Sequence, residues 1–191
     1  MEIKMTGIEN PLALFAKAAA FAARKHENQR RKNAAASPYI NHPIALADVL
    51  ANEGGIDDVA VLCAALLHDI IEDADTTAEE LQLHFGPEVA GIVMELTDDK
   101  SLEKSARKQL QIENAPHASR RAKLVKLADK ICNLRDILDA PPADWSAERK
   151  MACFDWAAQV VAGLRGASPK LEAVVDALLA RQAELAHSNR T

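Results

Sequence analysis

Glycine and proline are scarce, with seven and eight in 191 residues. Abundant alanine and leucine instead favour helix over the turn-rich, β-branched composition of a sandwich or barrel. Cysteine is sparser still: Cys63, Cys132 and Cys153 lie far apart without a paired metal spacing, and reduced, buried thiols in a cytosolic protein are expected. Basic charge shows no excess. The net charge is −5, so coating nucleic acid or an anionic membrane by bulk electrostatics is not expected. Apolar residues at 49% and charged residues at 27% leave disordered, collagen-like and membrane-spanning classes unsupported. The apolar stretch from Leu12 to Ala23 is expected to be a first helix rather than a signal-peptide core: Glu2 and Glu9 precede it, Lys17 interrupts it, and Arg24-Lys25 follow it. No repeat or low-complexity linker divides the chain, so residues 1–191 are expected to form one domain with its own core.

What is present is helical punctuation. Asn10 and Pro11 open a first helix with Leu14, Ala18, Phe21 and Ala22 as its apolar stripe. A polar loop covers 28–37, and Pro38-Tyr39-Ile40 suits a short extended piece. Asn41 caps a second helix from about Pro43 to Gly54-Gly55. Residues 56–71 are apolar on nearly every side, as in a helix through the centre of a domain. Thr76-Thr77-Ala78-Glu79 has capping-box spacing, Gly86 ends that helix and Pro87 starts the next. Further helices are predicted over 102–114, 118–139, 146–164 and 169–186. The fold class is all-α, a bundle of about 8–10 helices.

Chemistry concentrates at the end of the central helix, in His68-Asp69-Ile70-Ile71-Glu72-Asp73. Spacing of four sets Glu72 beside His68 and Asp73 beside Asp69, so one helical end offers an imidazole and three carboxylates to one cleft. A frayed, solvated acidic turn is the plainer reading. Yet each carboxylate at a helix C-terminus opposes the macrodipole by about 0.3–1 kcal/mol, which calls for a cation. Two weaker elements accompany it. Lys126, Asp129, Asn133 and Asp136 share one face of a helix whose other face is apolar, and His42 sits in a first helical turn within Pro38-Tyr39-Ile40-Asn41-His42-Pro43.

Together these elements resemble the HD-domain hydrolases and, more narrowly, the small alarmone hydrolases of the RelA/SpoT-homologue superfamily. The likeness runs from Phe21-Ala22-Ala23-Arg24-Lys25-His26 through the His42 and His68-Asp69 segments. It continues through Leu96-Thr97-Asp98-Asp99-Lys100 and the Asp129 helix to Trp156-Ala157-Ala158-Gln159-Val160-Val161. It implies that His42, His68, Asp69 and Asp129 bind one divalent metal, usually Mn2+, leaving about two positions for water and a phosphate oxygen. Glu72 and Asp73 match the family's catalytic acidic pair, orienting the water and shuttling its proton. The implied reaction removes the 3′-pyrophosphate from ppGpp or pppGpp. Matching positions place Arg31, Lys32, Lys100 and Asn133 near the nucleotide, with Tyr39 and Arg149 beside them. Cys153 stands where a tyrosine is expected in relatives. His26, His84, His117 and His187 fall outside the pattern and are expected at the surface or in local hydrogen bonds.

Charge patterning points the same way without the likeness. Between Lys32 and Lys100 there is no Lys or Arg but 14 acidic residues, and Arg30-Arg31-Lys32 and a run of cations from Lys100 to Lys130 flank the gap. An acidic metal centre between cationic walls suits a highly phosphorylated small nucleotide. Hydrolysis without synthesis is expected, in the cytoplasm, with no nucleic acid or membrane partner; oligomeric state is left open. Two alternatives remain: a phosphohydrolase for another nucleotide, such as the 2′-phosphate of NADPH, and a non-catalytic alarmone sensor.

Overall fold

In the computed structural model, residues 10–186 are described, except 34 and 143. Asn10 accepts the Leu12 N–H at 3.1 Å, and α1 (Pro11–Lys25) buries Ala18, Phe21 and Ala22. The polar segment after it stays a loop, and the expected extended piece shrinks to one isolated antiparallel bridge between Arg30 and Pro38. Helix α2 (Asn41–Asp48) starts at Asn41 rather than Pro43, and Asn41 is not its cap. The Pro38 carbonyl takes the Asn41 N–H at 3.2 Å and already begins the helical turn. After Asp48 the helix widens through Val49–Glu53 and stops at Gly54-Gly55, where Gly55 takes φ +67° at no steric cost.

The expected continuous central helix is two pieces, α3 (Val59–Leu67) and the single turn α4 (Ile70–Asp73). Its start is delayed because Asp58 caps it, accepting the N–H groups of Ala60 and Val61 at 3.0 and 3.4 Å. Its end breaks at His68-Asp69, with Asp69 at φ −116°, ψ 12°. Thr77, one residue later than the box beginning at Thr76, accepts the Glu80 N–H at 3.1 Å and opens α5 (Ala78–Leu96). Gly86, at φ +81°, and Pro87 interrupt α5 as expected.

Helix α6 (Lys104–Asn114) turns tightly through Ala115–His117 into α7 (Arg120–Asp139). Ser119, Ser146 and Ser168 each bond an N–H three residues on, capping α7, α8 (Ala147–Leu164) and α9 (Pro169–Ala180). Tighter turns over Arg181–Ala186 replace the last part of the helix expected to reach 186. The described residues thus form an all-α bundle. Helix α3, buried at seven of its nine residues, packs against α1, α2, α5 and α7, and α7 packs against α8 and α9. Leu66, Leu67, Leu127, Ile131 and Leu134 are at most 1% exposed and each contributes about 1.5–3 kcal/mol of burial. That apolar contact clamps α3 against α7, bringing the His68-Asp69 break to the polar face of α7.

Candidate metal centre and adjoining cavity

Three elements converge there. His42 comes from the first turn of α2, His68 and Asp69 from the α3–α4 break, and Asp129 from the middle of α7. His42, His68 and Asp129 each present one ligand atom, all within 4.8 Å of one another. His42 Nε2 lies 3.3 Å from Asp129 Oδ1, and His68 Nε2 lies 3.5 Å from Asp69 Oδ2. Asp69 is outside the tight three-residue cluster; its Oδ2 accepts the Tyr39 hydroxyl.

The donor set fits a cation. His68 Nδ1 sits 2.9 Å from the Ala65 carbonyl, which only accepts, so the proton of the neutral ring is on Nδ1 and Nε2 is a lone pair. His68 Nε2 faces Asp69 Oδ2 at 3.5 Å, a gap that a shared cation, or a proton on the ring, bridges. Burial pushes the His42 imidazole down, toward the neutral form a metal requires. For Asp129, burial pushes up, but the Lys130 ammonium at 2.9 Å and His42 hold the carboxyl well below its ordinary value. Asp69 is also depressed: burial opposes ionisation, while His68, the Tyr39 hydrogen bond and His26 favour it.

The acidic pair borders the same chamber of about 210 Å³. Glu72 accepts the Asp98 N–H at 2.7 Å, and burial raises its carboxyl above the ordinary range. Asp73 pairs with Lys100, and its carbonyl accepts from Gln29. Lys100 therefore stands on Asp73 at the rim and does not line the chamber.

A larger cavity of about 510 Å³ opens beside the chamber, and Arg31, Tyr39, Asp98, Gln111, Lys130 and Asn133 border both. Arg31 lies over the Tyr39 ring and pairs with Asp136, and Asn133 donates to Asp129 Oδ1 at 2.7 Å. Lys32 and Arg149 line the larger space, as does half-buried Cys153. Its aromatic surface comes from Trp145, under the Arg149 guanidinium at 4.3 Å, and Trp156, under Lys130 and Lys108 at 4.1 and 4.7 Å. The Trp156 indole is fixed by donating to the Lys108 carbonyl at 3.0 Å. Both tryptophans went unassigned in the sequence, although Trp145, Arg149, Cys153 and Trp156 follow the spacing of one helical face.

His26 is the other omission. It makes the expected local bond, Nδ1 to Gln29 Oε1 at 2.8 Å, but it is only 1% exposed and turns Nε2 toward Asp69 Oδ1 at 3.6 Å. The His26-x-x-Gln29 spacing was the available signal. His84 rests against Phe21 and Phe85, His117 is exposed, and His187 lies outside the described residues.

Residues 18–155 match the HD domain family model. A Xenopus tropicalis protein, guanosine-3′,5′-bis(diphosphate) 3′-pyrophosphohydrolase MESH1, is 57% identical over 164 residues, covering 86% of this chain and 92% of that protein. Its Homo sapiens counterpart is 58% identical over 155 residues, 81% of this chain and 87% of the relative. The solved structure of a metazoan orthologue of SpoT, described as hydrolysing ppGpp, superposes with a TM-score of 0.86 at 48% identity, covering 94% of this chain and 99% of that one.

Proposed function

The chain belongs to the HD-domain family, and we propose that it is a metal-dependent hydrolase that releases pyrophosphate from the 3′ position of ppGpp or pppGpp, leaving GDP or GTP. The carrying observation is the join between the two spaces: the His42–His68–Asp129 cluster and the Glu72–Asp73 pair meet a cavity walled by cations and two tryptophans.

His42, His68, Asp69 and Asp129 are the residues that would hold the ion, taken as Mn2+, which supplies an acidified water near neutral pH and neutralises phosphoryl charge. Glu72 Oε1 is occupied by the Asp98 N–H, so Oε2 is the atom that takes the water's proton. Asp73, tied to Lys100, orients the water from the other side. Water oxygen bonds to the phosphorus carried by O3′, the P–O3′ bond breaks, and O3′ leaves with its electron pair and takes up a proton. Tyr39 positions Asp69, burial and then the neighbouring Asp69 charge keeping its phenol protonated as a donor. Arg31, Lys32, Asn133 and Arg149 bind the nucleotide, with the tryptophan rings as apolar surface. Lys100, at the rim, meets the substrate by exchanging its Asp73 contact for phosphate.

We place the work in the cytoplasm as a single domain acting on a small nucleotide rather than nucleic acid or membrane. The free thiols of Cys63, Cys132 and Cys153 fit a reducing compartment, and no described helix is long and apolar enough to cross a membrane. The test is a panel of ppGpp, pppGpp, GTP, a nucleoside monophosphate and NADPH with manganese-loaded protein. Pyrophosphate release from ppGpp is expected. Negligible ppGpp cleavage beside brisk turnover of NADPH overturns the substrate, and ppGpp binding without pyrophosphate release makes the protein a sensor.

A further inference from the structure

Cations near the metal chamber are mostly engaged by protein partners. Arg31 pairs with Asp136, Lys100 with Asp73, and Lys130 with Asp129 while also bonding Gln111. Lys126 is different. It stands on α7 three residues before Asp129 and one turn before Lys130, it is 9% exposed, and it lines the chamber that also holds His42, His68, Glu72 and Asp73. Its ammonium forms neither a hydrogen bond nor an ion pair among the described residues, although Glu72, Asp98 and Asp129 surround it at longer range and Lys130 lies on its own helix. With no partner from the protein, its three N–H donors are left to whatever fills the chamber that Lys126 lines, so an acceptor for them enters from that side.

We propose that Lys126 is a catalytic residue whose ammonium binds a non-bridging oxygen of the 3′-pyrophosphoryl group; this rests on the hydrolase reading above. A compact ammonium on a flexible stem suits a phosphoryl oxygen as a point charge, whereas the bidentate Arg fork suits a wider site. As the water oxygen bonds to phosphorus and the P–O3′ bond breaks, the electron pair goes to O3′, and the departing pyrophosphate keeps its non-bridging charge against Lys126. The nucleoside half, in the larger cavity, makes no demand on this residue, because Lys126 lines only the smaller chamber.

The primary measurement is calorimetric binding of pyrophosphate and, separately, GDP to manganese-loaded wild type, Lys126→Met, Lys126→Gln and Lys126→Arg, with metal content of each. Loss of one charged contact is expected to weaken pyrophosphate about tenfold or more in the Met and Gln variants. GDP affinity and manganese stoichiometry should stay within about twofold, with partial recovery in Arg. For ppGpp, kcat should fall by about 10². Unchanged pyrophosphate affinity, equal weakening of both ligands, or loss of manganese overturns the proposal, as does failure of both neutral variants to fold, which makes the ammonium structural. A wild type that binds pyrophosphate without cleaving ppGpp defeats the assigned substrate instead and leaves the binding arm to judge Lys126.

Discussion

The carboxylate of Glu72 accepts the backbone N–H of Asp98 at 2.7 Å, joining α4 to the loop after α5 across 26 residues. One oxygen is thereby fixed, and in the proposed reaction the other is the base. A glutamine keeps the accepting oxygen and loses the basic one. Glu72→Gln should therefore fold normally, retain manganese and lose about 10²–10⁴ in kcat. Metal analysis beside steady-state ppGpp hydrolysis checks this; loss of metal in the variant would move Glu72 into the ligand set.

Burial raises the Glu72 carboxyl above its ordinary value of 4.5. The base must be ionised, so activity falls as pH drops through that raised value. The acid limb of kcat/KM is expected above 4.5, and residual activity of Glu72→Gln should lack it. A pH–rate profile over pH 4.5–8 of both proteins, at saturating metal, tests the assignment.

The facing acceptors at His68 and Asp69 predict what metal removal does. An ion that binds the folded site and not the unfolded chain stabilises by mass action, so chelation should lower the melting temperature and manganese restore it in a concentration-dependent way. His68→Ala and Asp129→Ala should each lose bound manganese. Asp129→Ala also takes the carboxylate partner, at 2.9 Å, from the buried Lys130 ammonium, leaving it Gln111 and the Trp156 ring, and should be the less stable of the two. Inductively coupled plasma analysis with thermal unfolding separates the effects; full metal retention in either variant refutes the ligand assignment.

The doublet and its acidic pair were legible because all four lie in one six-residue string, close enough to share a cleft even though the helix breaks at Asp69. The likeness of ordered motifs added His42 and Asp129. The break at His68-Asp69 was not legible, since an all-apolar run reads as one helix until Asp58 caps its start and α7 meets its end. His26 falls outside the sequence pattern, and Lys126, though on the Asp129 face, has no role of its own there, for a related reason. The groups they face, Asp69 and Glu72, lie 43 and 54 residues away, and the local His26-x-x-Gln29 spacing signals only the bond to Gln29.

Away from the site, Arg135 on α7 grips Glu53 with two bonds of 2.6 and 2.8 Å, tying the end of the widened α2 turn to α7. Those bonds hold the Glu53 carboxyl below its ordinary value of 4.5. A depressed folded-state value means stability that is present above the unfolded value and lost as pH falls through the folded one. Both groups are about one-third exposed, so the contribution is less than about 1 kcal/mol. Glu53→Gln should be slightly destabilised at pH 7, with the difference from wild type shrinking at a second, acid pH below the ordinary 4.5. Urea unfolding at the two pH values decides it; a difference that persists in acid would assign the effect to packing instead of charge.

Glycine at 163 permits a close crossing. A Cβ there would lie 2.8 Å from both Ala115 Cβ and Pro116 Cδ and 3.0 Å from the Pro116 backbone nitrogen, so α8 would have to move off the turn between α6 and α7. Helix propensity argues the other way, favouring alanine by up to about 1 kcal/mol. The clash is with backbone and a ring, which yield little, so Gly163→Ala should be net destabilising by about 1–3 kcal/mol. Gly91, inside α5 with nothing within 4 Å of its would-be Cβ, is the internal comparison and should gain about 0.5–1 kcal/mol on the same change. In a chain of this size these correspond to about 2–4 °C per kcal/mol in thermal unfolding. Because Trp156 and Lys108 bridge α8 to α6 along the same seam, Gly163→Ala should also raise KM for ppGpp, and Gly91→Ala should not. Opposite signs in the two melting shifts are the decisive observation; a stabilised Gly163→Ala would mean that the crossing has room the geometry denies.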